Sequence, residues 1–509
     1  MNSCCCTICI VFLLCFPVLK ETAADVHAGF GVSPKHFSKP HADIPNHWAY
    51  SRAIPIDSSG WPDRFPAKEH CSKCGLCETS FVSQVKEACA FLEDGMSRID
   101  AMEKQVHGKE RNVDSMVWSS FLDDGTGSSK LAEEARFGVL YEPMQLVRGI
   151  GMPDAQWTGV VTSIAVAMLE SGRVDAVVCI AANEDDGSWS APQPILARTV
   201  QDVLRGRGVK PALAPSLQVL DQIQQDDSIQ RLLFCGVGCS VQAFRAVQSS
   251  LNLKEVYVLG TNCVDNSPTP DAADQFLRQG VGLPMANDDD RPIGYEFMQD
   301  FKVHVKTSNG YVSKPYFSLA GTIAEKAIAK SCLACFDYTN SLADVVVGYM
   351  GAPLGFNQRM THSLQTLSIR NDAGRSMVDT AVQSGRLKLE GVAKSCGPSH
   401  EQLAEATVLS DAIVQGMVGG NVPAKEMPTW IGEILAMLLQ ATGPKGVAFA
   451  RYSIDYHILR NYLHVLAFWG EERARRTTPL FALTIVDHYL SSSQKLADLK
   501  ARVKQRDKT

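Results

Sequence analysis

A chain of 509 residues is long enough for two or three domains. With 45% hydrophobic and 20% charged residues it has the balance of an ordinary globular protein, not of a disordered or fibrous one. A net charge of −6 argues against general nucleic-acid binding and sets no fold.

Sixteen cysteines is a high count, and their positions say more than their number. Five (Cys4, Cys5, Cys6, Cys9 and Cys15) lie in CCCTICIVFLLCFPVL, an apolar run of 16 residues. That is short for a membrane span and fits the core of a signal peptide, although no Lys or Arg precedes it. A membrane anchor is the rival reading. Small residues follow in ETAADVHAG. Residues 21–65 carry Pro, His and Ser with little periodicity and read as a transit-like segment and linker. A secreted destination conflicts with the grouped thiols of the body, which an oxidising compartment would scramble. A plastid reached through a signal peptide followed by a transit segment reconciles the two.

The first motif is HCSKCGLCETSFVSQVKEACAF. Cys71, Cys74 and Cys77 sit at C-x2-C-x2-C spacing, and Cys89 follows after eleven intervening residues. Three thiolates in one wrapped loop, with a fourth from the next helical turn, supply the ligands of a cubic iron–sulfur cluster. Gly75 lets the backbone bend close to inorganic sulfide. Zinc accepts four thiolates too, but its sites usually pair two separate C-x2-C knuckles.

Residues 95–114 begin as a polar helix and end as a loop. IGMPDAQWTGVVTSIA passes from loop into a β-branched apolar run. It places Gln156, Trp157, Thr158 and Gly159 at a helix entry, with Thr158 or Asp154 as cap. Free N–H groups there suit the phosphates or ring edge of a flavin nucleotide, and a plain helix cap explains the pattern equally. VDAVVCIA (174–181) reads as a buried strand. ARTVQDVLRGRG is a helix capped by Thr199 and closed by Gly206 or Gly208, and residues 216–225 form a second amphipathic helix. RLLFCGVGC, SVQAFRAVQSSLNL and EVYVLG give strand, helix and strand, a βαβ unit that implies a parallel sheet. Asn309-Gly310 marks a hairpin attached to that sheet. ADVVVGYMG is a further buried strand, and LQTLSIRNDAGRSMVDTAV gives strand, turn and helix. Beyond about residue 422 the pattern is helical, and the basic end reads as a solvated helix.

A second set of thiols follows the strand ends. Cys239 lies in a strand-to-helix turn, Cys263 ends the next strand, and Cys332 and Cys335 lie in SCLACFDY. Ends of neighbouring parallel strands share one side of a sheet, so these four can converge. A thioredoxin-like role for Cys332 and Cys335 is disfavoured because Asp337 raises a thiol pKa. Cys235 reads as a small core residue, and Cys179 and Cys396 as structural.

Eight motifs in this order, HCSKCGLC, VKEACAFL, DAQWTG, LLFCGVGC, LGTNCVDN, YEFMQDFKV, SCLACFDYTNSLADVVVGYMG and GPKGVAFARYSIDYHILRNYL, resemble the plant and algal 7-hydroxymethyl chlorophyll a reductases. More broadly they resemble the beta-subunit family of hydrogenases and dehydrogenases that reduce a deazaflavin coenzyme. The resemblance spans roughly residues 60–490. It departs in DGTGSSKLAEEARFGVLYEP and GVGLPMANDDDRPIGYEF, loops that bear on the substrate pocket. MGAPLGF is closer to the ferredoxin-dependent 8-vinyl reductases of chlorophyll biosynthesis.

The resemblance implies FAD, two [4Fe–4S] clusters, reduced ferredoxin as donor, a chlorophyll-type tetrapyrrole substrate and a plastid location, with a homo-oligomer admitted. Carried over by motif, Cys71, Cys74, Cys77 and Cys89 bind one cluster and Cys239, Cys263, Cys332 and Cys335 the other, with the fourth ligands open to exchange. The flavin meets Gln156–Gly159, and Arg198, Lys210, Asn262 and Asp265 are further contacts. Asp265, Asp337 and Tyr295 are the candidate acids, each with a structural hydrogen bond as its alternative. A wide cleft lined by Trp157, Tyr295, Phe297 and Met298 would take the flat ring. The expected activity is reduction of a 7-hydroxymethyl group to methyl. The alternatives are an 8-vinyl reductase, an electron-transferring subunit of a larger complex and a zinc module.

The expected fold is α/β, with a mixed, mainly parallel sheet and flanking helices. The expected organisation is a leader (1–20), a transit-like linker (21–65), an N-terminal iron–sulfur region (66–150), a flavin- and second-cluster-binding domain (151–422) and a helical C-terminal region (423–509).

Overall fold

Mostly apolar runs form the central strands, and mixed or alternating segments form the others. In chain order the strands are β1 (Gln145–Gly149), β2 (Ala176–Ala182), β3 (Pro192–Ala197), β4 (Arg231–Gly236), β5 (Glu255–Thr261), β6 (Pro292–Phe297), β7 (Lys302–Thr307), β8 (Tyr311–Pro315), β9 (Val345–Gly348), β10 (Gln365–Ile369) and β11 (Leu387–Val392). The computed structural model describes residues 71–89, 92, 94–118, 129–152, 154–182, 192–284, 291–419 and 426–506. The leader and transit-like segment expected over 1–65 lie outside them.

Eight strands make one mixed sheet in the order β11-β1-β10-β9-β5-β4-β2-β3. Its four central strands, β9, β5, β4 and β2, run parallel. The flanking strands join antiparallel. Successive residues point to opposite faces, so each central strand feeds two cores. Val177, Leu233, Leu259 and Val347 face one, and Val178, Phe234, Val258 and Val346 the other.

Helices cover both faces. We number those used below α1 (Val82–Glu87), α2 (Arg98–His107), α3 (Val160–Glu170), α4 (Val200–Arg205), α5 (Leu220–Gln225), α6 (Gly238–Val247), α7 (Asp372–Gln383) and α8 (Val447–Trp469). Residues of α3 and α7 pack on the first face. Residues of α1, α5 and α6 pack on the second, where Phe234 and Phe244 stack at 4.1 Å. Thr199 caps α4 through a reciprocal bond pair with Asp202, and Gly206 follows it, as the sequence indicated.

Three local expectations change. No side chain caps α3: Gly159 takes that position with φ 83°, and Thr158 Oγ1 instead accepts the Gly149 N–H at 3.0 Å. The helix expected from residue 216 begins at Leu220. The Asn309-Gly310 hairpin forms, but with β6 it makes a separate three-stranded antiparallel sheet.

The C-terminal helices make their own core around α8, which is buried along most of its length. Arg136, in the helix Ser129–Phe137, ties the N-terminal segment to α8. Its guanidinium makes two bonds to Asp455, at 2.7 and 2.9 Å, in a site closed to water. Among the described residues no helix is long and apolar enough to cross a membrane.

Candidate functional site

The carboxyl ends of the parallel strands carry the second thiol set. Cys239 is in the first turn of α6, just past β4, and Cys263 lies two residues past β5. Asn340 holds these ends in register. Its backbone is left-handed (φ 54°), and its amide donates to Gly236 O at 2.8 Å and to Thr261 O at 3.3 Å. Gly260 leaves it room, since a Cβ there would meet Asn340 Nδ2 at 2.5 Å.

Cys332 and Cys335 arrive on a short helical turn that α8 clamps from outside. Asn461 Nδ2 donates to Cys332 O and Cys335 O, each at 2.8 Å, and to Tyr338 Oη at 2.7 Å. Burial raises the pKa of each of the four thiols. Cys332 is pushed up to about 12, with the Asp265 carboxylate as the next cause. The thiols also act on one another: Cys332, Cys239 and Cys335 each raise Cys263, and Cys239 raises Cys335. Thiols that disfavour one another's negative charge are a donor set suited to a cationic inorganic group, which ligates thiolates and would relieve the repulsion. Among the described residues no three His, Cys, Asp or Glu side chains are set for a single metal ion.

The N-terminal thiol loop docks beside this set. It winds through left-handed Lys73 and Gly75, and Gly75 abuts Pro215, whose Cβ lies 2.7 Å from where a Cβ of residue 75 would stand. Ser331 N donates to Ser72 Oγ at 2.9 Å, joining the two cysteine loops. Cys71 and Cys77, both exposed, flank Cys74, whose pKa is raised first by burial and then by both neighbours. Cys74 is in turn the largest charged influence on Cys239 after burial. The two sets are thus contiguous. Cys89 follows α1, with its N–H on Lys86 O.

The DAQWTG turn is built around glycines. A Cβ at Gly149 would lie 2.3 Å from Thr158 O, at Gly159 2.4 Å from Met152 Cβ, and at Gly294 2.2 Å from Gln156 Oε1. Gln156 joins three segments: Oε1 accepts the Val209 N–H at 2.7 Å, and Nε2 donates to Tyr295 O at 3.0 Å and approaches Met360 Sδ at 3.9 Å. Trp157 stacks on Tyr349 at 5.3 Å. Tyr349 follows Gly348, over which Asn262 folds so closely that a Cβ would sit 1.4 Å from its Oδ1. The turn and the thiol set therefore meet through residues 348, 349 and 262. An uncapped α3 start, a glycine-lined turn and the nearby Lys210 fit an anionic, planar nucleotide. Lys210 Nζ donates to Arg207 O and Gly208 O, and burial lowers its pKa to about 8.

Other predicted residues are placed elsewhere. Arg198 follows β3, which runs antiparallel to β2, so it stands at the opposite end of the sheet, bonded to Asp226 and Ser228. Tyr295 and Phe297 point away from the turn and pack on Phe276. Burial pushes the Tyr295 phenol well above its usual range. Asp265 accepts two bonds from Arg460, at 3.2 and 3.1 Å. Buried Asp337 accepts the Ser341 N–H at 2.8 Å and fills the space beside Gly238. Its pKa is raised by burial.

Sequence reasoning missed Glu296. Alternation turns it to the face opposite Tyr295, toward Trp157, whose indole lowers its pKa against the larger effect of burial. Burial pushes its carboxyl up to about 7. The available signal was an acidic residue within the apolar strand PIGYEF.

Residues 151–221 match the N-terminal model, and 229–395 the C-terminal model, of the coenzyme F420 hydrogenase/dehydrogenase beta subunit. The rice protein 7-hydroxymethyl chlorophyll a reductase, chloroplastic (Oryza sativa subsp. japonica), is 44% identical over 84% of this chain and 83% of its own. An uncharacterised protein of the cyanobacterium Nostoc is 38% identical over 84% of this chain and 95% of its own. The coenzyme F420 hydrogenase subunit beta of Methanosarcina barkeri is 27% identical over 47% of this chain and 78% of its own.

Proposed function

The chain belongs to the coenzyme F420 hydrogenase/dehydrogenase beta-subunit family and is an oxidoreductase related to the 7-hydroxymethyl chlorophyll a reductases, and on that premise we propose that it reduces the 7-hydroxymethyl group of a chlorophyll to methyl with electrons from reduced ferredoxin in the plastid. The observation that carries the reading is the continuity of the glycine-lined Gln156–Gly159 turn with the Cys239, Cys263, Cys332 and Cys335 set, through Tyr349, Gly348 and Asn262.

Cys71, Cys74, Cys77 and Cys89 would hold one [4Fe–4S] cluster and Cys239, Cys263, Cys332 and Cys335 the second. Gln156, Trp157, Thr158 and Gly159, with Lys210 and Asn262, would hold FAD. When bound, such clusters pass single electrons and a flavin collects two for hydride transfer.

The residues of the chain do the rest. Asn266 Nδ2 lies 3.4 Å from Cys263 Sγ and Lys73 N 3.4 Å from Cys71 Sγ, N–H groups that tune ligated sulfur. Arg460 holds Asp265 beside Cys332, fixing a negative charge at the inner thiol. The leaving hydroxyl must take a proton, so the site needs an acid near the Trp157 face.

The test is an anaerobic turnover assay of the reconstituted protein with reduced ferredoxin. In separate tubes it receives 7-hydroxymethyl chlorophyll a and a divinyl chlorophyllide. Conversion of the first alone is the expected result. Conversion of the second alone moves the chain to vinyl reduction. Conversion of neither, with iron and flavin present, favours an electron-transferring subunit.

A further inference from the structure

The small sheet turns one face toward the DAQWTG turn. Gly294 and Lys306 meet it directly: Gly294 packs on Gln156, and Lys306 Nζ donates to Ala155 O at 2.7 Å. Between them on the same face stand Glu296 and His304, direct partners in the antiparallel β6–β7 ladder. Residues so paired have Cβ atoms only about 5 Å apart.

His304 is buried and fully bonded. Nε2 is 2.8 Å from Asp300 Oδ2 and Nδ1 is 2.6 Å from Tyr311 Oη. The Met360 N–H lies 2.9 Å from that same phenol oxygen. A backbone N–H can only donate, so Tyr311 accepts from Met360, and its own hydrogen stays available to His304 Nδ1. The Nε2–H of His304 then donates to Asp300. The result is an ordered chain from half-exposed Tyr311 through buried His304 to Asp300, on the face that carries Glu296.

We propose that Glu296 is the group that gives its proton to the departing substrate oxygen, on a face held in place by the bonded Tyr311–His304–Asp300 chain. The inference rests on the reductase reading above. The balance is simple. The substrate C–O bond breaks with its electron pair on oxygen, which takes the Glu296 proton and leaves as water. A C–H bond forms from two electrons and a second proton delivered together as hydride, the electrons coming from a one-electron iron–sulfur donor. The Glu296 carboxylate then takes back a proton from solvent, which completes the cycle.

The groups around Glu296 suit this role. Trp157 from the turn before α3, Tyr349 after β9 and Tyr316 after β8 are neutral near pH 7, burial raising both phenols further. Asp300 is the nearby anion acting on both phenols. Of the cations on this face, Lys302 pairs with Glu433 and Lys306 is held by Ala155 O. No cation is thus committed to holding Glu296 ionised, among the described residues.

The experiment uses the holoprotein and the Glu296→Gln and His304→Gln variants. Glu296→Gln keeps the size of the side chain and one carbonyl oxygen and loses the proton. Its turnover should fall at least about 100-fold, while bound flavin is still reduced by ferredoxin at the wild-type rate. His304→Gln, which loosens the bonded chain beside Glu296 but leaves the acid in place, should slow turnover far less than Glu296→Gln. Infrared difference spectra across pH 5–9 should show a carboxyl band in the wild type that Glu296→Gln lacks. Turnover of Glu296→Gln within a few-fold of wild type overturns the proposal, as does the lack of a titrating Glu296 band. If the wild type converts no chlorophyll yet the band is present, the reductase reading fails and the proton-holding site stands for another substrate.

Discussion

Arg460 of α8 reaches across 195 residues of sequence to grip both oxygens of Asp265, two residues beyond Cys263. The guanidinium is buried and the carboxylate nearly so. Removing one partner strands the other charge away from water, at about 3–5 kcal/mol. Arg460→Ala should lower the urea midpoint accordingly. Replacing both partners with apolar residues of similar volume should recover most of that loss. A single variant as stable as the parent would show that the pair does not hold α8 to the sheet.

Iron content divides the two thiol sets. Cys239→Ala should lose about half of the iron and keep the rest, because the outer loop retains all four of its own cysteines. Asn461→Leu should mimic it more mildly, since the Cys332–Cys335 turn loses three bonds of about 1 kcal/mol each. Unchanged iron in Cys239→Ala would remove that residue from the ligand set.

Gly294→Ala tests the turn without touching a cysteine. Its methyl would collide with Gln156 Oε1, breaking the bond to Val209 N or displacing β6. Flavin should be lost on gel filtration while iron stays at the parent level. Full flavin retention would move the nucleotide site away from Gln156.

Acid stability should depend on His107. Its ring is bonded to Ser341 O at 2.8 Å, and burial lowers its pKa to about 3. The unfolded chain takes up a proton near pH 6.5, whereas the folded chain resists until about pH 3. Stability therefore falls as pH drops from about 6.5 toward 3, the range in which the unfolded state binds more protons. In His107→Gln the urea midpoint should fall less between pH 7 and pH 5. An unchanged slope would assign that acid sensitivity to other groups.

Much of this was legible in the chain. Runs such as VDAVVCIA and EVYVLG are apolar beyond Asp175 and Glu255 near their starts because the central parallel strands are covered on both faces, and glycine and cysteine lie at or near their ends. The edge strands gave weaker signals. β3 carries Pro192 and Pro194, which only an edge tolerates, and β11 is exposed beyond its first residue, so it lacks alternation. The site itself was half legible. Cysteine spacing exposes the ligand candidates, but which face of β6 meets the DAQWTG turn depends on packing from elsewhere. That is why Tyr295 looked more promising than its neighbour Glu296. Partners more than a hundred residues apart, such as Asn461 with Cys332, leave no local pattern at all.

The clamp on the inner cysteine turn has a consequence for incomplete chains. All four inner cysteines precede residue 336, yet the amide that pins their loop is residue 461. A chain cut anywhere between these points would carry every sulfur and still leave the turn unfastened. Ligand count alone therefore does not qualify a chain to carry its inorganic cargo. The fold itself acts as a check of completeness, and a truncated product would betray itself by losing iron while it still held all eight candidate ligand cysteines.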